Sequence, residues 1–466
     1  MDWFNDVNNF LLDITGSISN FVWGIPLLVL LVGTGLFLTV RLSFFSFRML
    51  PHALKLLFKK SKDVPGEEGD ISHFQAVMTS LAATVGTGNV VGVATAVVLG
   101  GPGAVFWMWM TALVGLATKY SEGILGVKYR QKNAKGEMSG GPMYFLEHGL
   151  NLRYKKINFG KWLGVMFAFF ATVAAIFGIG NMVQANAASD VMQGTFNVPT
   201  FVTGIVFAVL VGLVIIGGIK SIGRVVAFFV PLMIIFYMLA GIGIIIFNLA
   251  DVPAAFGLIF YDAFTGQAVA GGAIGSVIRW GVARGLFSNE AGLGTGAIAS
   301  AAAVTDLPGR QAVIAMTQVF IDTIIVCTVT GLALTMADLY ATGLEGATLT
   351  AMSFDMLLPG NIGQYVVAIT LVTFIFSTMV GWSYFGEKCF TYLVGDNFTM
   401  LYRVIFTVAI FFGAVVPLQL VWNFADIFNA MMAIPNLIGL LLLSGVVANE
   451  TKKYLKVRNR EIHREL

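Results

Sequence analysis

Two polar, glycine-bearing strings, Gly86-Thr87-Gly88-Asn89 and Ser288-Asn289-Glu290-Ala291-Gly292, interrupt stretches that are otherwise apolar enough to lie in a bilayer. A helix in lipid has no water to satisfy its backbone, so such an interruption is stable only where it lines a cavity. Each following half-helix would begin with unpaired N–H groups at its positive dipole end, around Gly88–Asn89 and Gly292–Gly294. Each preceding half would end in free carbonyls, around Ala82–Val85 and Phe287–Ser288. N–H groups suit a carboxylate and carbonyls suit an ammonium or a cation, so the two strings together could hold a desolvated zwitterion. Glycine allows both the broken backbone and a close approach of the ligand. Thr87, Gly88 and Asn89 at the first string, and Ser288, Asn289 and Gly292 at the second, are the candidate binding residues. Gln184, with Asn181, would face them across the bundle, because buried amides in lipid demand partners. Phe287 is the candidate apolar wall, with Trp382 and Tyr384 as weaker alternatives. Ser377-Thr378, adjacent hydroxyls deep in an apolar stretch, could present hard oxygens to a cation.

The elements that must position these residues are membrane spans. Of 466 residues 57% are hydrophobic and 11% charged, where a soluble domain carries about 25% charge. Stretches of roughly 20 apolar residues predict eleven helices, near 20–43, 73–99, 103–127, 162–189, 200–218, 222–248, 271–302, 310–336, 364–390, 402–420 and 427–448. Outside the spans, Lys and Arg gather in alternate connections, at Arg48 to Lys62, Lys128 to Lys161, Lys220, Arg310 and the tail Lys452 to Arg464. The opposite set holds only acids, among them Asp2, Asp190, Asp251, Asp262, Glu345 and Asp355. The positive-inside rule then predicts an external N-terminus and a cytoplasmic C-terminus. The net charge of +3 is loop chemistry of this kind and carries no hint of nucleic acid.

Asp2, Asp6 and Asp13 with no base argue against a signal peptide, and the spacing of Trp3, Phe4, Val7, Phe10, Leu11 and Ile14 predicts a short interfacial helix on the outer surface. A basic counterpart, Phe45 to Lys60, is expected on the inner one. Cys327 and Cys389 lie in different apolar segments, which does not suggest a disulfide framework. No connection is long enough for a catalytic domain. No GxxxxGK[ST] phosphate loop occurs, so transport energy would come from an ion gradient. His52, His73, His148 and His463 are scattered over connections and a span edge, which makes an intramembrane metal enzyme a poor reading. Intramembrane ions default to functional hypotheses. Arg284 and Glu290 flank the second string and could pair across it or touch substrate. Arg279, Asp322 and Glu387-Lys388 could be gate or packing pairs.

Residues 71–250 and 251–450 would each hold five spans, the first of each broken, and an odd count inverts the second copy. Residues 1–70 contribute an extra helix and 451–466 a tail. That arrangement is the LeuT-type five-plus-five inverted repeat, in which paired breaks mark the substrate site. The strings GTGNVVGVATAVVLGGPGAVFWMW (86–109), GGPMYFLEHGL (140–150), GIGNMVQAN (178–186), RGLFSNEAGLGTGAIA (284–299) and GWSYFGEKCF (381–390) resemble the alanine/glycine:cation symporter family over nearly the whole chain. The resemblance implies an all-α polytopic protein of the prokaryotic plasma membrane that takes small neutral amino acids, alanine or glycine, with Na+ as coupling ion and no organic cofactor. In the sodium-coupled pattern Ser377 and Thr378 join the carbonyls of Ala82 and Val85 around the ion. A proton-coupled carrier is the nearest alternative. A channel is more remote, since it would not need two discontinuous helices in inverted positions.

Overall fold

The computed structural model describes residues 12–19, 21–59, 67–151, 158–265, 274–416 and 419–465. They form an all-helical bundle whose only sheet is a two-stranded hairpin, Gln131–Lys132 with Met138–Ser139. Among the described residues six helices are long and apolar enough to cross a membrane, or up to eight if each of two bent pairs is one span. The helix Gly218–Phe247 explains the choice of solvent. Phe228, Leu232, Ile235, Leu239, Ile242 and Ile246 are exposed at spacings of three and four, while Ile222, Val226, Val230, Met233, Tyr237 and Ile244 on the other face are buried. Both faces are apolar, which a bilayer requires and water does not allow.

The first broken span starts at Ser72, whose side chain accepts from the Gln75 N–H while Gln75 Oε1 accepts from the Ser72 N–H. This capping box satisfies two otherwise orphaned donors. The helix His73–Thr84 ends at Val85, an extended residue, and the chain resumes as Gly88–Gly100 at 53° to it, opening with a wide turn over Gly88–Gly92. The second broken span runs Ile274–Asn289, unwinds, and resumes as Thr295–Ala301. Three residues of the unwound part take positive φ, namely Glu290 (54°), Gly292 (103°) and Gly294 (89°). Glycine accepts that backbone freely, but a non-glycine there, such as Glu290, is uncommon and points to a local constraint.

The span expected at 162–189 is longer and is itself interrupted. It runs Phe159–Phe177 and Met182–Phe196, with residues 178–181 out of helix. Trp382 fills the room beside Gly180, where a Cβ would lie 2.8 Å from the Trp382 Cβ.

Helix Ala104–Lys128 is the spine of the site, packing on Ile25–Arg41, on both halves of the second broken span and on Pro308–Ala315. Two expected loops contain helices, Val252–Thr265 and Gly346–Leu357. Asp262 is consequently not an exposed loop acid. It is buried, and its Oδ2 accepts the Gly103 N–H at 2.9 Å. The basic surface helix is present as Phe45–Phe58, turning 86° from Ile25–Arg41. Of the acidic one, residues 3–11 lie outside the described residues and 12–19 are helical.

Small residues set how closely the spine approaches the second broken span. A Cβ on Gly126 would sit 2.3 Å from the Ala297 carbonyl oxygen, whereas one on Gly33 meets nothing within 4 Å. Gly126→Ala is therefore expected to lower the thermal midpoint of the purified protein, by overpacking of about 1–3 kcal/mol. Gly33→Ala should leave the midpoint unchanged or raise it slightly, and equal midpoints for the two variants would refute this packing.

Candidate functional site

The two breaks meet. A Cβ on Gly88 would lie 3.3 Å from Ser288 Cα and 3.5 Å from Phe287 Cδ1, a tight fit that glycine relieves. Asn89 ties them together. Its Oδ1 accepts the Gly86 N–H at 2.9 Å, and its Nδ2 donates to Asp322 Oδ1 at 2.8 Å and lies 3.2 Å from Ser288 Oγ. Asp322 Oδ2 accepts from Ser288 Oγ and Thr323 Oγ1, each at 2.8 Å. Asp322 has no exposed surface and stands on a wide turn, Phe320–Val326, inside the helix Pro308–Ala337. Gln318, one turn earlier, donates both to Thr84 Oγ1 (3.0 Å) and to the Asn289 carbonyl (3.2 Å), bridging the ends of the two first halves.

A carboxylate on the spine keeps the second break open. Glu122 Oε1 accepts the Gly292 and Gly294 N–H groups, both at 3.0 Å, and the Asn436 side chain at 2.9 Å. Asn436 also donates to the Gly292 carbonyl at 2.8 Å. Lys119 Nζ stands 3.8 Å from Glu122 Oε2 and donates to the Glu290 carbonyl at 3.3 Å. The Glu290 side chain turns away, accepting from Thr295 Oγ1 (2.6 Å) and Trp382 Nε1 (3.0 Å). Those contacts account for its positive φ. In all, one buried ammonium, Lys119, faces three buried carboxylates, Glu122, Glu290 and Asp322. Buried charge without a counterion is costly in a low-dielectric core, and here the acids outnumber the base.

Several sequence-derived candidates converge here and some do not. Gln184 Nε2 donates to Thr87 Oγ1 at 3.1 Å and to the Ile179 carbonyl, which the 178–181 interruption frees, at 2.9 Å. Its Oε1 is buried without a partner. Thr378 Oγ1 lies 3.5 Å from the Val85 carbonyl and bonds the Phe374 carbonyl at 2.9 Å, as Ser377 does at 2.8 Å. Ala82, three residues before Val85, is buried on the same helix. The donors expected to be free at Gly292–Gly294 are engaged: Glu122 Oε1 takes the N–H groups of Gly292 and Gly294, the Leu293 N–H bonds the Glu290 carbonyl at 3.2 Å, and Asn436 holds the Gly292 carbonyl. Asn289 Oδ1 caps the break through the Ala291 N–H at 3.0 Å, leaving Nδ2 buried and unpaired. Asn181 bonds the Phe406 carbonyl at 2.7 Å. Arg284 lies over the Trp280 and Phe287 rings at 5.6 and 5.7 Å, while Glu290 bonds elsewhere. Trp382 donates its indole N–H to Glu290.

Sequence reasoning passed over Lys119 and Glu122, although two charges three residues apart in an apolar span were a signal. It also missed Arg130. On the face that carries the basic connections, the segment entering the first broken span is zipped to the one leaving the second. The Asp70 N–H bonds the Ala302 carbonyl at 2.8 Å, and the Val304 N–H bonds the Ile71 carbonyl at 2.8 Å. Arg130 closes the zip by donating to the carbonyls of Glu68, Ala301, Ala303 and Thr305.

Two discontinuous helices thus meet in the interior near two unpaired amides. Residues 8–466 match the sodium:alanine symporter family. The chain belongs to that family. It is a membrane transporter and not an enzyme. It is 56% identical over 452 residues to the sodium/alanine symporter AgcS of Methanococcus maripaludis, covering 96% of this chain and 98% of that one. It is 36% identical to the amino-acid carrier protein AlsT of Bacillus subtilis, over 95% of this chain and 92% of that one.

Within this family member the Glu122 carboxylate offers a direct test of the break. Glu122→Ala would remove the carboxylate 3.8 Å from Lys119 and leave two peptide N–H groups bare, at a cost of about 3–5 kcal/mol. The purified variant should therefore melt far below the parent. Glu122→Gln keeps an acceptor at Oε1 and should recover much of the loss; an alanine variant that melts with the parent would show that the carboxylate does not hold the break.

Proposed function

We propose that the protein carries alanine, glycine and similar small neutral amino acids into the cell together with sodium, by alternating access. The observation that carries this reading is the junction of the two breaks, Gly88 against Ser288, flanked by Gln184 on Thr87 and by Asn289, whose Oε1 and Nδ2 atoms respectively are buried and unpaired. An acceptor and a donor without partners inside a bilayer core are a cost that a zwitterion would remove. The substrate ammonium is assigned to Gln184 and the free carbonyls, and the carboxylate to the Thr87 and Gly88 N–H groups with the Asn289 amide, the Asn89 N–H being taken by the Gly86 carbonyl at 3.2 Å. Phe287 and Ser288 wall the side chain. Gly292 acts on substrate only through the shape of the break.

The architecture that fits is the LeuT-type inverted repeat. It would have eleven spans, an extra first helix, repeats over 71–250 and 251–450, and the basic face in the cytoplasm. Sodium is assigned to the carbonyls of Ala82 and Val85 with the hydroxyls of Ser377 and Thr378. The Thr378–Val85 approach of 3.5 Å supports that placement, as does Gly86, where a Cβ would lie 2.5 Å from Thr378 Oγ1. The family name and the sodium/alanine name of the 56% identical relative point the same way. In this reading the Arg130 zip is the closed inner gate.

Purified protein in liposomes should accumulate labelled alanine under an inward sodium gradient, with glycine competing and leucine competing poorly. Uptake that proceeds equally in potassium with no pH gradient would end the sodium assignment, and uptake driven only by a proton gradient would favour the proton-coupled alternative. Thr378→Ala should raise the sodium concentration for half-maximal uptake at least severalfold, since one oxygen ligand is lost while the carbonyls remain. Its effect on alanine affinity at saturating sodium should be smaller. An unchanged sodium dependence would move the ion elsewhere.

A further inference from the structure

The connections on the face opposite the basic one carry acids, yet two arginines, Arg279 and Arg284, stand in the half of the second broken span that leads to that face. Neither is explained by topology, and an intramembrane arginine is expensive unless it has a task. Both border a cavity of about 180 Å³. Arg284 packs its guanidinium over Trp280 and Phe287 at 5.6 and 5.7 Å, and its Nε is buried with no hydrogen-bond partner. Arg279 lies over the same Trp280 ring, at 5.4 Å. Asp426 lines the same cavity and lies within electrostatic range of Arg284. Its backbone is fixed by a 2.9 Å bond from the Trp23 indole to its carbonyl.

From this arrangement we infer a second, outer binding subsite for a free amino-acid zwitterion, with Arg284 receiving the carboxylate and Asp426 the ammonium. The inference rests on the amino-acid reading above and deepens it. A guanidinium with an unused N–H is a ready partner for a carboxylate, and stacking on aromatic faces fixes its plane without consuming its donors. Asp426 accounts for the opposite charge of the ligand. Arg279 adds a second positive charge near the mouth that draws the carboxylate end first. Phe287 is common to this cavity and to the junction of the breaks, where it lies 3.5 Å from the Gly88 Cβ position. One aromatic ring is thus the partition between the outer subsite and the central one, and an amino acid held at Arg284 needs only that ring to move in order to advance. The subsite recognises the α-amino and α-carboxyl groups alone, so it is indifferent to side-chain size and selection is left to the central site.

Equilibrium binding of labelled alanine to the purified full-length protein, with and without sodium, separates the two sites. The parent should show a tighter class that needs sodium and a weaker class that does not. Arg284→Gln and Asp426→Asn should each abolish the weaker class and keep the tighter one, and in liposomes should raise KM for alanine about fivefold or more with kcat within about twofold. Leucine should displace alanine from the weaker class as well as glycine does. If Arg284→Gln does not purify as a folded protein, Asp426→Asn carries the same expectation. A single sodium-dependent class in the parent overturns the subsite alone, as does loss of the tighter class in both variants or a fall in kcat with KM unchanged. Absence of any sodium-dependent binding overturns the sodium-coupled reading and the subsite with it.

Discussion

A helix that stops halfway through a bilayer must give its loose N–H groups to something, and in the second broken span that something is one carboxylate oxygen. Glu122 Oε1 takes the N–H groups of Gly292 and Gly294 and the amide of Asn436. Much else follows from that choice. A carboxylate so deeply buried calls for a nearby cation, and Lys119, one helical turn away, supplies it while also holding the Glu290 carbonyl. With its carbonyl held there, Glu290 adopts a left-handed backbone and sends its side chain to Thr295 and Trp382. The last of these contacts reaches the helix Gly363–Val394, which also presents Thr378 to the first break. The spine helix, the second break and the cation-binding candidate are therefore coupled through a short chain of polar contacts.

The first break is satisfied by different means. There an amide, Asn89, replaces the carboxylate and spends its oxygen on its own backbone and its nitrogen on Asp322. The balance of charge differs accordingly, since Asp322 is held only by neutral donors, from Asn89, Ser288 and Thr323. Asp322 therefore has no cationic hydrogen-bond partner, whereas Lys119 stands against Glu122 and the Glu290 carbonyl.

Both main breaks were legible because glycine and polar residues stand out against an apolar background, and lipid forbids such strings without a purpose. Gln184 was legible for the same reason. The interruption at 178–181 was not, because its string GIGN carries a single polar side chain and reads as ordinary small-residue packing. The partner of the second break was hidden for a different reason: Glu122 and Gly292 are 170 residues apart, and no local pattern states which carboxylate meets which backbone. That pairing also removed Gly292 from the set of free donors, since the argument from helix ends counts orphaned N–H groups but cannot see who claims them. Asp262 shows the limit of charge counting. An acid in an acidic connection reads as solvated, but a helix in that connection turns it onto the Gly103 N–H.

Arg130 has a consequence of its own. Each of its acceptors is a main-chain carbonyl, so the fastener that joins residues 68–71 to 301–305 does not read the side chains it joins. What holds residues 301–305 to their kind is burial instead: Ala301, Ala302, Ala303 and Thr305 have next to no exposed surface, and larger side chains would overpack them. Gly69 is confined as tightly on the other segment, because a Cβ there would fall 2.3 Å from Val304 Cα. In this corner of the molecule heredity is bound to a contour more than to an alphabet: the clasp asks for smallness and a backbone course, and for one arginine to read it.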